Sequence, residues 1–247
     1  MRTMLAAALV FAFAVPAVAG EKIVKSTLVS RGQKRTYYLF VPDGLTPDRP
    51  VPLVVLLHGS GRDGQSLADP WKDLAASEKF ILAAPDASDS RAWRIPEDAP
   101  EFLVELAQDL RRKHPIDPRR MYLFGHSAGA VMTLEMSLLE SQFFAAGAAH
   151  AGALPAEAAE MLHAAKRRIP IAIWVGTDDA FFPLAAVRAT RDALKSAGLP
   201  IELTEIPKHT HWYYGSAKEI NKQVWAFLSQ QKLDADPKVD EYDFVKR

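Results

Sequence analysis

Cysteine is absent from all 247 residues, which excludes disulfides, thiolate catalysis, cysteine-ligated zinc and lipid attachment to an N-terminal cysteine. An excess of either charge is absent too, since 30 lysines and arginines face 30 aspartates and glutamates. That balance provides no long-range field for nucleic acid or anionic lipid, so no nucleic-acid partner is expected. Beyond the first twenty residues no apolar run approaches the roughly 20 residues needed to cross a bilayer as a helix. No repeat, low-complexity tract or shift of composition divides the chain, and residues 20–232 are expected to form a single domain. With 49% hydrophobic and 24% charged residues, the composition is globular and stability must come from an apolar core.

The N-terminus has the pattern of an export signal: Arg2, an apolar run from Leu5 to Val15, then the small residues Ala17-Val18-Ala19. The run is short and interrupted by Pro16, which argues against an uncleaved anchor. Residues 1–19 are therefore expected to be removed, leaving a secreted or periplasmic protein with no membrane anchor. Residues 233–247 are charged and contain Pro237, the composition of a frayed tail.

Lys22 to Ser30 and Arg35 to Pro42 alternate polar with apolar residues around Arg31-Gly32-Gln33, which predicts an antiparallel hairpin with one wet face. Val51 to Leu57 is almost wholly apolar, as in a strand covered on both sides. Similar runs recur at Phe80 to Ala84, Met121 to Phe124, Phe144 to Ala149, Ile169 to Val175 and Ile201 to Ile206. Helix-period stretches lie between them, at Glu101 to Lys113, Ala128 to Leu139 and Val187 to Ala197, with a last one at Glu219 to Gln231. Alternating strand and helix predicts an α/β fold with a mainly parallel central sheet of about eight strands and helices on both faces. In such sheets ligands bind at the carboxyl ends of the strands.

The strand Met121 to Phe124 runs into Gly125-His126-Ser127-Ala128-Gly129 and then a helix-forming stretch. This is G-x-S-x-G in its strand-turn-helix setting, where a sharp turn exposes the serine hydroxyl and the glycines leave room for neighbouring backbone. Ser127 is the candidate nucleophile. A nucleophilic serine needs amide donors for the oxyanion that develops. The amide of Ala128, opening the helix, is one; the loop His58-Gly59-Ser60-Gly61 after the third strand offers the second at Ser60. His58, Gly59, Gly61, Gly125, His126 and Gly129 are read as residues that support these two turns.

These motifs, in this order, resemble the polyhydroxybutyrate depolymerase and feruloyl esterase-like group of α/β-hydrolases, from about Leu39 to Leu228. The resemblance implies a Ser-Asp-His triad and ester hydrolysis with neither metal nor organic cofactor. Gly176-Thr177-Asp178-Asp179, with Pro183 beyond, is similar to the family's acid turn; its spacing favours Asp179, with Asp178 as the alternate and helix capping as the non-catalytic role for both. Only His209 and His211 follow the last strand. The run His211-Trp212-Tyr213-Tyr214 resembles the family's histidine segment, which favours His211 and leaves His209 as the alternate. A metal reading of His209-Thr210-His211 lacks a completing ligand set. Trp93, Trp212 and Tyr213 are candidates for an aromatic substrate pocket, with core packing as their commoner fate.

Two rivals share these features: an exported peptidase, because amides react by the same steps, and a binding protein that keeps the fold without catalysis. Only Ala151 to Arg168 separate two strand runs where lids are usually inserted, room for a loop and one short helix. Without a large lid or a polymer-adsorbing module, the expected partner is a small or oligomeric ester, short-acyl or aromatic, of feruloyl or hydroxyalkanoate type.

Overall fold

A computed structural model of the chain describes residues 22–241; the segment expected to be an export signal, residues 1–19, lies outside the described residues. Strands β1 (Val24–Ser30) and β2 (Gln33–Phe40) form the expected hairpin. Its two turn residues, Arg31 and Gly32, take φ of 49° and 75°, the left-handed pair that matches the twist of a two-residue hairpin. Six strands follow: β3 (Val51–Leu57), β4 (Ile81–Pro85), β5 (Ile116–His126), β6 (Ala146–His150), β7 (Ile171–Gly176) and β8 (Ile201–Ile206). All eight join one sheet in the order β1-β2-β4-β3-β5-β6-β7-β8. The β1–β2 and β2–β4 pairs are antiparallel and every other pair is parallel.

The apolar runs are continuous because alternate residues face two different cores. Leu53, Val55 and Leu57 of β3 pack with Phe102, Leu106 and Leu110 of α3 (Glu101–Lys113), Leu134 and Leu138 of α4 (Ala128–Leu139), and Val187 and Leu194 of α5 (Leu184–Ser196). Val54 and Leu56 face the other way, toward Trp71, Phe80 and the Ile220, Val224 and Leu228 stripe of α6 (Ala217–Leu228). Each such side chain taken fully out of water contributes roughly 1.5–3 kcal/mol. A one-residue slip of β3 would exchange the two sets, so the sheet register is strongly specified. The strand ends that carry the site are thereby held rigid.

Several boundaries differ from the sequence reading. Gly64–Ala68 and Lys72–Glu78 form two short helices, with a 3-10 turn at Asp69–Trp71 between them. Each is too short for a helical period to register, and Pro70 falls between them. Strand β5 begins at Ile116, five residues early, because its polar start is satisfied by side chains: Asp117 accepts from Arg120 (3.0 Å) and Lys232 (3.1 Å). Helix α5 begins at Leu184, directly after Pro183, which starts a helix without losing a hydrogen bond. The β6–β7 connection holds a 3-10 helix, Ala156–His163, and no larger insertion. Of the segment expected to fray, residues 233–241 are described and run along the domain. Leu233 is buried, its amide donates to the Arg119 carbonyl (3.0 Å), and Lys166 pairs with Asp240 (2.6 Å).

Candidate active site

Strand β5 ends at His126 and helix α4 begins at Ala128, so Ser127 alone makes the turn between them. Its φ of 58° and ψ of −120° fall in a region that side-chain-bearing residues avoid, at a cost of about 1–3 kcal/mol. The neighbours enforce it. The Ser127 amide donates to the His150 carbonyl at 3.0 Å. A Cβ on Gly125 would stand 2.0 Å from the Gly129 carbonyl oxygen, and one on Gly129 only 1.9 Å from that of Leu57. The two glycines of the motif are thus required by backbone packed against backbone.

Strand β7 delivers the acid loop and strand β8 the histidine loop, and the two lie against each other. The His209 carbonyl occupies the space a Cβ on Gly176 would take, 1.9 Å away, and accepts the Asp178 amide at 3.0 Å. From this arrangement His211 Nδ1 reaches Asp179 Oδ2 at 2.9 Å, and His211 Nε2 reaches Ser127 Oγ at 2.9 Å. An ionised carboxylate only accepts, so the imidazole carries its proton on Nδ1 and offers a lone pair at Nε2 to the serine hydroxyl. The other oxygen of Asp179 accepts the amides of Phe181 and Phe182, each at 2.9 Å. Its side chain is wholly buried, whereas His211 keeps 20% of its side chain accessible. The adjacent carboxylates differ in orientation: Asp178 is exposed and, among the described residues, its side chain accepts only from Thr177 Oγ1 (3.1 Å). His209 turns away from the serine, its Nε2 3.1 Å from His150 Nε2.

The loop after β3 passes over the serine, with a Cβ on Gly59 falling 3.2 Å from that of Ser127. His58 ties this loop down. Its Nδ1 donates to the Gly59 carbonyl (2.9 Å), and its Nε2 accepts the Ala87 amide (3.1 Å). Burial lowers its pKa, in keeping with a neutral ring. Ser60 is exposed beside Gly59, and Ala128, as the first residue of α4, has an amide with no acceptor inside the helix. Of the three aromatic candidates for a substrate pocket, Tyr213 is packed in the core and Trp93, part-buried, braces the loop beside Ser127. Trp93 donates its indole N–H to the His58 carbonyl (2.8 Å), pinning the same loop. Tyr213 is fully buried, stacks beneath His126 (5.2 Å between centroids) and donates its hydroxyl to Asn221 at 2.5 Å. Trp212 is the most exposed of the three, at 56%, and Phe181, which packs against the His211 ring, is 75% exposed. A cavity of about 400 Å³ bounded by Asp69, Leu74, Tyr214 and Asn221 does not include Ser127, Asp179 or His211 in its walls.

Beneath the serine, His150, to which sequence reasoning assigned no role, joins His126 and His209 in one chain of contacts. His126 Nδ1 meets His150 Nδ1 at 3.0 Å, and His150 Nε2 meets His209 Nε2 at 3.1 Å. Each contact needs one N–H and one lone pair, so neutral rings donate in one direction along the whole chain. His150 is completely buried and His126 nearly so. Burial, reinforced by the neighbouring His211, brings the His126 pKa down to about 3, and burial likewise depresses that of His150. The signal for His150 was its position at the carboxyl end of β6, in register with His126 at the end of β5. Among the described residues no group of three His, Asp or Glu side chains is placed to hold a metal ion.

The poly(3-hydroxyalkanoate) depolymerase C of Paucimonas lemoignei is 30% identical over 125 residues, 45% of this chain and 30% of that protein. The bifunctional acetylxylan esterase/xylanase of Neocallimastix patriciarum is 29% identical over 108 residues, 42% of this chain and 16% of that one. The chain thus spans less than a third of the length of either relative. Among solved structures, the CE1 ferulic acid esterase of Anaeromyces mucronatus superposes with a TM-score of 0.67 at 19% identity, covering 85% of this chain and 90% of that one. It shares the fold. The family described as Phospholipase/Carboxylesterase matches residues 83–224, over half of the chain and all of Ser127, Asp179 and His211. By that match and by its eight-stranded sheet, the chain belongs to the phospholipase/carboxylesterase family of α/β-hydrolases.

Proposed function

We propose that the chain is an exported serine esterase acting on soluble carboxylic esters with short or aromatic acyl groups. Ser127 is the nucleophile, His211 the general base and acid, and Asp179 the group that orients the imidazole and stabilises its cation. His211 Nε2 takes the hydroxyl proton as Ser127 Oγ bonds to the ester carbonyl carbon. The resulting oxyanion is met by the amides of Ala128 and Ser60. His211 then returns the proton to the departing alcohol oxygen as the C–O bond breaks. Water repeats the two transfers and releases the acid. Asp179 stays ionised throughout.

The observation that carries this reading is the hydrogen-bond chain from Ser127 through His211 to Asp179, with both links at 2.9 Å. Support for a small substrate comes from the short β6–β7 connection and the exposed Phe181 and Trp212. Where no apolar lid covers an acyl chain, each CH₂ left in water forgoes about 0.8 kcal/mol. Export rests on the Arg2 to Ala19 pattern. Titration with a fluorophosphonate probe tests the chemistry: the expected result is stoichiometric labelling and ester turnover, both abolished in Ser127→Ala while the thermal unfolding midpoint is kept. Labelling that survives at another serine refutes the assignment.

A further inference from the structure

Arg62 stands three residues beyond Gly59, in a turn closed by its own amide donating to the Gly59 carbonyl at 3.2 Å. Since Gly59 crosses directly over Ser127, the turn belongs to the rim of the site. From the opposite side come Trp212 and Tyr214, just after His211. The Arg62 guanidinium carbon lies 5.3 Å from the Trp212 ring centroid and 4.9 Å from that of Tyr214, and the two rings are 5.2 Å apart. The cation therefore bridges the oxyanion loop and the histidine loop. Its charge adds to burial and to His211 in lowering the pKa of His126, the residue before Ser127.

A cation–π contact of this kind is an electrostatic attraction to the ring faces and uses no conventional hydrogen-bond acceptor. The guanidinium N–H donors are uncommitted: among the described residues Arg62 makes no ion pair and no side-chain hydrogen bond, whereas Arg35, Arg91, Arg94, Arg120 and Arg188 each hold a carboxylate. The adjacent Asp63 makes no ion pair with it among the described residues, and instead caps the helix Gly64–Ala68 by accepting the Ser66 amide at 2.9 Å. A planar, pre-positioned cation with a free fork of donors matches an oxyanion that accepts two parallel hydrogen bonds, a carboxylate or a phosphate, of which the carboxylate shares its planar shape. We infer that Arg62 selects esters bearing a carboxylate in the acyl or the alcohol part, a specificity that rests on the esterase reading above.

The test is a ratio, so that any general loosening of the loop cancels. 4-Nitrophenyl hydrogen adipate and 4-acetoxybenzoate place the charge on the acyl and alcohol sides; each is paired with its isosteric primary amide. In at least one pair the anionic ester is expected to have a kcat/KM about tenfold the higher, mostly through KM, the size of an exposed charge-assisted pair. Arg62→Gln brings that ratio to about one, Arg62→Lys restores part of it, and raising the salt to about 1 M erodes it. Ratios at or below one in both pairs, or a ratio unchanged in Arg62→Gln, overturn the inference. If no ester of either pair is hydrolysed, the esterase reading itself fails and takes this inference with it. Hydrolysis of both members without charge discrimination overturns the inference alone.

Discussion

Replacing Asp179 by asparagine changes one atom and almost no volume, yet the hydrogen bonds around it decide a proton position on His211, 32 residues away in sequence. In the native site Oδ1 accepts two backbone amides and Oδ2 accepts His211 Nδ1–H, in a side chain with no accessible surface. An asparagine has two ways to sit there. With its NH₂ toward Phe181 and Phe182, donors face donors, and each buried amide left unsatisfied costs about 1–3 kcal/mol. With its NH₂ toward His211 both amide bonds survive, and the imidazole answers by giving up its Nδ1 proton and accepting instead. The second orientation is favoured by roughly 2–6 kcal/mol, the sum over two amides. It leaves the remaining proton on Nε2, where the Ser127 hydroxyl sits at 2.9 Å and now finds no lone pair. Loss of the correct tautomer in a triad lowers kcat by about 10⁴-fold, or roughly 5.5 kcal/mol of transition-state stabilisation. Steady-state kcat on a soluble acetate ester measures it, with thermal unfolding to show that the fold persists. Asp178→Asn, at an exposed position, serves as the control and is expected to stay within about twofold. Retention of a tenth of the activity in Asp179→Asn, or an equal loss in Asp178→Asn, refutes the reasoning.

His211→Ala is expected to cost at least about 10³-fold in kcat, because one imidazole performs both proton transfers. His209→Ala should cost far less, and kinetics showing the reverse order would move the base to His209. Comparison of kcat/KM for acetyl, butyryl, feruloyl and palmitoyl esters should rank palmitoyl last; a palmitoyl preference with activation at an oil-water interface would remove the open-site argument. The buried histidines make stability depend on pH. His126 has a folded pKa of about 3 against an ordinary 6.5, so below 6.5 the unfolded chain binds a proton that the folded chain refuses, and stability falls as pH drops toward 3 by roughly 1.4 kcal/mol per unit. The half-buried Glu135 and the buried Glu140, raised to about 7 and about 8 by desolvation, act in the opposite sense, losing stability as pH rises from 4.5. The histidine contribution is therefore isolated by difference: denaturant unfolding of wild type and His126→Leu between pH 6.5 and 4.5 should show a shallower acid loss in the variant, by roughly 3 kcal/mol. Parallel curves would contradict a neutral buried His126.

What the sequence determined by itself was whatever depends on neighbours along the chain. Helices α3 and α4 and strands β3 and β8 fall where their apolar periods place them, since a period of 3.6 or a continuous run is a local property. The serine turn was legible for the same reason: strand, elbow and helix occupy a handful of consecutive residues, and both flanking glycines answer to contacts that any chain with this turn must make. Short helices at Gly64–Ala68 and Lys72–Glu78 were not legible, because they are held by packing on the sheet rather than by a period of their own. The tertiary structure alone decided which of two adjacent carboxylates, and which of two histidines in one loop, turns toward Ser127. Neighbouring residues in a loop point in different directions according to the path of the backbone. Here that path is set by a distant contact, the His209 carbonyl seated against Gly176. Burial was decided in the same way. Tyr213 went under His126, Trp93 onto the His58 carbonyl, and His150 into line with His126 and His209. Each of these is a pairing between chain segments that only the assembled sheet brings within reach, and no spacing in the sequence encodes it.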